Sequence, residues 1–131
     1  MEKPRPNFQL VKLHHTIKKA EACFSLYSPH IPRALIEIQQ HIHGQLDQAL
    51  YYADKAANEP LADVSKKVLY IDFCTNELMF VFSRLESLVI NKGLTPGSAG
   101  EVSKIIKEAV NQCDAWKNKM LKSEKFDTIE G

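Results

Sequence analysis

LADVSKKVLYIDFCTNELMFVFSRLESLVI, residues 61–90, runs thirty residues without a glycine or proline. Leu61, Val64, Val68, Ile71, Thr75, Leu78, Phe82, Leu85 and Val89 alternate at spacings of three and four. That rhythm puts them on one stripe of an α-helix. Leu69, Phe73, Phe80, Val81 and Leu88 widen the apolar surface beyond a single stripe. A helix greasy on several faces is a central one, touching two neighbours or another subunit.

The flanking sequence repeats the pattern. Prolines at 4, 6, 29, 32, 60 and 96 and glycines at 93, 97 and 100 divide the chain into four long segments. The first runs from Phe8 to Ser28, with Leu10, Leu13, Ile17, Ala20, Phe24 and Tyr27 as its stripe. Pro29 and Pro32 stop it, because proline lacks the amide donor and clashes with the preceding turn. The second runs from Arg33 to Asn58, its stripe formed by Leu35, Ile38, Ile42, Leu46, Ala49, Ala53 and Ala56. Gly44 inside it costs about 1 kcal/mol relative to alanine, and a close helix crossing is the expected reason for keeping it. The last runs from Pro96 to Lys122, with Val102, Ile105, Ala109, Cys113, Trp116 and Met120 inward. Thr95-Pro96 opens it: a hydroxyl that caps free amides, then proline where no helical hydrogen bond is lost. Residues 1–7 and 123–131 are polar and are expected to be flexible ends.

No segment shows the alternation of a half-buried strand, and the connections are short. The expected fold is all-α, an antiparallel up-down-up-down four-helix bundle. In that order the first and last helices are neighbours. Charge follows the same division. Residues 1–36 carry a net +4, residues 37–91 a net −4 and residues 92–125 a net +3, although the whole chain is at only +1. The fold so expected gathers positive charge on one flank.

Composition sets the outer bounds. At 131 residues with 44% apolar and 25% charged side chains, the chain is one ordinary globular domain. It is neither a disordered chain nor a disulfide scaffold. Three cysteines cannot all pair within one chain, and none lies in Cys-x-x-Cys spacing, so a reducing compartment is expected. No apolar run reaches the roughly 18 residues of a membrane span, and Met1–Asn7 lacks the apolar core of a signal peptide. The expected location is the cytoplasm.

Catalytic patterns are missing. A di-iron bundle needs Glu-x-x-His on two helices; this chain has none, and Glu37 with His41 has no matching pair elsewhere. Cys23, Cys74 and Cys113 fall inside helices among apolar residues, where a thiol behaves as a small hydrophobe. None sits at a helix start that would lower its pKa. There is no glycine-rich phosphate loop and no Gly-x-Ser-x-Gly. The reading is of a non-enzyme without cofactor or metal. Trp116, Phe73, Phe80 and Phe82 read as core or subunit-interface residues.

The lysines remain. Lys12, Lys18 and Lys19 on the first helix and Lys104, Lys107, Lys117, Lys119 and Lys122 on the last would share the basic flank. Such a cluster can neutralise phosphates and release counterions. Charge alone favours the plainer reading, a solvated face that keeps the protein in solution. Lysine without interleaved aromatics reads no bases, so any nucleic-acid binding would be weakly sequence-specific.

Short motifs add to this reading. Ile31-Pro32-Arg33 separates the first two helices, and Asp72 sits among apolar residues in a third helix that ends near Arg84-Leu85. Leu94-Thr95-Pro96 then precedes a final helix carrying Trp116 near its end. From Leu10 to Met120 the chain resembles the accessory variability determinant proteins of diversity-generating retroelements. It resembles more loosely the bundle proteins encoded in 23S rRNA intervening sequences. The resemblance implies a homopentameric barrel of four-helix bundles with no catalytic site. It implies binding to a reverse transcriptase and its template RNA or cDNA, in support of mutagenic reverse transcription. Arg33 and Arg84 are the basic residues that fall within the matching motifs; the last helix's lysines match in general character. This chain is less basic than the family, and it has Gln112-Cys113-Asp114-Ala115 before the tryptophan where the family often has small residues. The alternative is an oligomeric protein–protein interaction module with no nucleic-acid role, its apolar helix face gripping a partner helix.

Overall fold

The computed structural model describes residues 8–60 and 63–130, with side chains described through Lys122. Residues 1–7, expected to be a flexible N-terminal segment, and Leu61, at the head of the third stripe, lie outside the described residues. Four helices account for the fold, and no strand occurs among the described residues. They are α1 (Phe8–Tyr27), α2 (Ile36–Asn58), α3 (Val64–Ile90) and α4 (Pro96–Glu130). Two short 3₁₀ turns, Ser28–His30 and Arg33–Leu35, carry the chain from α1 to α2 around the two prolines. The helix boundaries fall close to the expected ones, except that α4 runs past Lys122 to Glu130. Residues 123–130 contain no glycine or proline to stop it.

Caps set the ends. The Asp63 carboxylate accepts the Lys66 amide at 3.1 Å and opens α3. Thr95 Oγ1 accepts the Ser98 amide at 3.1 Å and opens α4, as the Thr-Pro signal implies. At the end of α3, Lys92 adopts φ 61°. Its amide reaches the Val89 carbonyl at 3.0 Å, and that of Gly93 reaches Leu88 at 2.7 Å. This pair of bonds is a Schellman motif, with lysine in the left-handed position that glycine usually fills. Gly93 follows because a Cβ there would lie 2.7 Å from Leu35 Cδ1. Gly44 is different: a Cβ there meets nothing within 4 Å. No close helix crossing explains it, contrary to the sequence reading.

The helices pack in a cycle: α1 on α2, α2 on α3, α3 on α4 and α4 on α1. One core fills the centre. Leu13, Ile17, Ala20 and Phe24 come from α1, and Ile42, Leu46, Ala49 and Ala53 from α2. Ile71, Leu78 and Leu85 come from α3, and Val102, Ala109, Cys113 and Trp116 from α4. Two details differ from the expected stripes. In α4 the buried residue is Ile106, and Ile105 is half-buried. In α3 the buried row also takes in Lys67, Cys74, Val81 and Leu88, while Val64, Val68, Thr75, Phe82 and Val89 lie at its half-buried edge.

Candidate nucleic-acid interface

The seam between α1 and α4 changes character along its length. At one end the Tyr27 hydroxyl donates to Glu101 Oε2. That bond to a carboxylate holds the phenol above its ordinary value of 10.0, because ionising it would set two anions together. Glu101 also adds to the effect of burial in raising the nearby Cys23 thiol. At this end a carboxylate, Glu101, lies in the seam, with Lys19 opposing its effect on Cys23.

At the other end Phe8, Gln9 and Lys12 of α1 face Gln112, Ala115, Trp116 and Lys119 of α4 across a cleft of about 330 Å³. Trp116 is only 4% exposed and serves as floor; Phe8 is 74% exposed and forms a free aromatic edge. Lys12 and Lys119 both line this opening. Gln112 Oε1 is buried without a hydrogen-bond partner among the described residues. Two lysines and one exposed ring suit an anion bearing a flat group better than an apolar ligand.

The other proposed contacts are spread more widely. Lys18, Lys19, Lys104, Lys107 and Lys122 are exposed on α1 and α4. Lys18 lies 3.9 Å from Glu21, a loose surface pair worth little. Lys117 Nζ is held at 2.9 Å by Asp72 Oδ1 across the α3–α4 contact, so its charge is already engaged within the chain. Arg33 is exposed in the 3₁₀ turn before α2, and Arg84 is half-buried on α3. Neither belongs to the two helices that carry the lysines. Of the ten residues proposed from sequence, Lys12 and Lys119 are the two that line one cleft. Phe8, Gln9, Gln112 and Ala115 were not foreseen. Their signal is spacing: Phe8–Lys12 and Ala115–Lys119 are each four apart and share a helix face.

A second surface faces outward from α2 and α3. Leu69, Phe73 and Phe80 follow one row of α3 and remain 47%, 38% and 53% exposed. Tyr52 of α2 packs on Tyr70 and Phe73 of α3 at ring-centroid distances of 6.5 Å and 5.2 Å. Tyr51 meets Tyr52 edge-on at 5.5 Å, with Lys55 Nζ 5.6 Å from its centroid. Exposed apolar side chains in a continuous row mark an interaction surface more often than isolated ones do.

Among the described residues, no three His, Cys, Asp or Glu side chains converge as metal ligands. No helix among them is long and apolar enough to cross a membrane. No protein-family model, curated protein or solved structure matches the chain. The likeness to the accessory variability determinant family therefore stands on the helix lengths and the short motifs around Pro32, Asp72, Arg84, Thr95 and Trp116.

Proposed function

We propose that this protein is a non-enzymatic cytoplasmic accessory factor. It binds single-stranded nucleic acid, RNA or cDNA, through the lysine-flanked end of the α1–α4 seam, and it works beside a reverse transcriptase. The observation that carries this reading is the convergence of Lys12 and Lys119 on one cleft beside the exposed Phe8 ring. Lysines on neighbouring α1 and α4 faces extend the positive surface. Phosphates would dock on the ammonium groups with little regard to base identity. Arg33 and Arg84, from their place in the family-like motifs, are assigned to contacts with the nucleic acid or the polymerase partner.

The bundle is taken as antiparallel, up-down-up-down. Tyr27 beside Glu101 at one end of the seam, and Phe8 beside Trp116 at the other, support that course. Copies of it are proposed to form a homopentameric ring. The exposed α3 row supplies an apolar contact, and the net −4 of residues 37–91 complements the basic ends of a neighbouring copy. Such a head-to-tail contact closes into a ring when the rotation fits.

Filter binding of single-stranded RNA across a salt series tests the nucleic-acid half. The expected result is affinity that falls linearly in log–log form as salt rises. Absent binding at low salt, or binding indifferent to salt, contradicts it. The exposed Tyr51–Tyr52–Phe73 surface favours one other reading, a protein–protein module without nucleic acid. Charge reversal at Lys104 and Lys107 separates the two: a module keeps its partner and never binds RNA.

A further inference from the structure

Cys74 of α3 and Cys113 of α4 are both fully buried, and their sulfurs lie 3.8 Å apart. They are 39 residues apart in sequence, so only the α3–α4 packing brings them together. The same contact is tied two residues away on α3 and four residues away on α4 by the Asp72–Lys117 ion pair. That pair and the surrounding core fix the register of the two helices. Cys23 is a third thiol, half-buried on α1.

From this geometry we infer that Cys74 and Cys113 form a covalent modification site, a resting dithiol that a peroxide-class oxidant converts to an α3–α4 disulfide. The inference stands apart from the nucleic-acid reading. An S–S bond is about 2.05 Å long and tolerates only a narrow range of Cα and Cβ separations. The sulfurs must therefore approach by just under 2 Å from their 3.8 Å separation. Cys113 Sγ donates to Cys74 Sγ at 3.8 Å, so the two thiols are coupled, and burial disfavours ionising either one. Whichever sulfur meets the oxidant as thiolate attacks first, and either order gives the same disulfide.

In the order with Cys113 first, the Cys113 thiolate attacks one oxygen of hydrogen peroxide. The O–O bond breaks, hydroxide leaves and takes up a proton as water, and Cys113 becomes a sulfenic acid. Cys74 sulfur then attacks the sulfenic sulfur. The S–O bond breaks, a second water leaves with the Cys74 proton, and the S–S bond forms. Two thiols lose two electrons and one peroxide gains them. Burial makes the first step wait on local opening of the helices, so the reaction is slow without denaturant.

The test uses the full chain. It is incubated with hydrogen peroxide, in parallel without urea and with urea just below the unfolding midpoint so that the helices open, quenched with catalase, then alkylated with N-ethylmaleimide under denaturing conditions and weighed intact. The expected product carries one maleimide, on Cys23, and has lost two hydrogens. Its peptide map shows Cys74 joined to Cys113, and dithiothreitol restores three reactive thiols. The oxidised protein is expected to melt at a higher temperature than the reduced protein, and Cys113→Ser to show neither the link nor the shift. Three alkylated thiols after treatment, a bond involving Cys23, or sulfinic acid at Cys113 without a crosslink would overturn the proposal. So would a lower melting temperature of the linked form, since it would show that native packing does not accommodate the bond.

Discussion

Lys67 is a lysine that helical rhythm would place in the core and that charge would place outside. It is 4% exposed, and its ammonium donates to the Ala56 carbonyl at 2.8 Å, near the end of α2. The carbonyls of a final helical turn lack partners within the helix, and a cation there also meets the negative end of the dipole. Burial lowers the Lys67 pKa from its ordinary 10.5, and the charge of Glu59 opposes that shift. The sign of the pH dependence follows. Between the folded value and 10.5 the unfolded chain holds the proton and the native one does not, so stability rises with pH through that interval. Lys67→Met keeps the apolar stem but leaves the Ala56 carbonyl without its donor. It is expected to cost about 1–2 kcal/mol near neutrality. The deficit should widen as pH approaches 10.5. Urea midpoints of both proteins at stepped pH check this, and a gap that stays constant or narrows would contradict it. Sequence reasoning missed Lys67 because it treats charge as a sign of exposure, whereas here the end of a neighbouring helix supplies the partner.

Helix α3 shows how far periodicity reaches. Ile71, Leu78 and Leu85 lie in both the expected stripe and the buried row. A helix wedged between two others buries a wide arc, however, and the stripe read from Val64 traces one edge of that arc. Adjacent apolar residues pose the same difficulty in α4, where rhythm alone cannot choose between Ile105 and Ile106 but packing does. The ends of the helices were more legible, because Thr95-Pro96 and the proline pair act locally. The turn after α3 was not, because its left-handed residue is Lys92 and not a glycine. A side chain in that conformation costs roughly 1–2 kcal/mol. Lys92→Gly is therefore expected to raise stability by about 1 kcal/mol, after the loss of entropy that glycine brings. Chemical denaturation measures it, and a destabilised variant would show that the Lys92 side chain makes a contact of its own. Gly93→Ala is expected to act in the opposite direction, since its methyl meets Leu35.

At the scale of the molecule, four amphipathic segments and short connections made the architecture readable, and alternation of charge made a basic flank an expectation. What the sequence left hidden is its unevenness. Glu101 sits at the Tyr27 end of the seam, Lys117 is engaged by Asp72, and the cleft lies where Lys12 and Lys119 meet. These are facts of three-dimensional neighbourhood between residues 74, 45 and 107 positions apart, which no local pattern encodes. The outward apolar row carries its own test. Leu69→Glu with Phe80→Glu changes exposed positions, where substitutions seldom move stability by more than about 0.5 kcal/mol. Light scattering is expected to find a native assembly near 75 kDa, about five chains of 14.9 kDa each, and to find the double variant near the mass of one chain with its helicity intact. A native protein that is already a single chain would contradict the ring. The cleft itself is tested by comparing RNA affinity of the native protein and Lys12→Gln/Lys119→Gln over the same range of salt. The neutralised protein should remain folded, bind more weakly at every salt concentration, and show a log–log slope shallower by about 1.4. Equal affinities and equal slopes for the two proteins would contradict a phosphate-binding role for this end of the bundle.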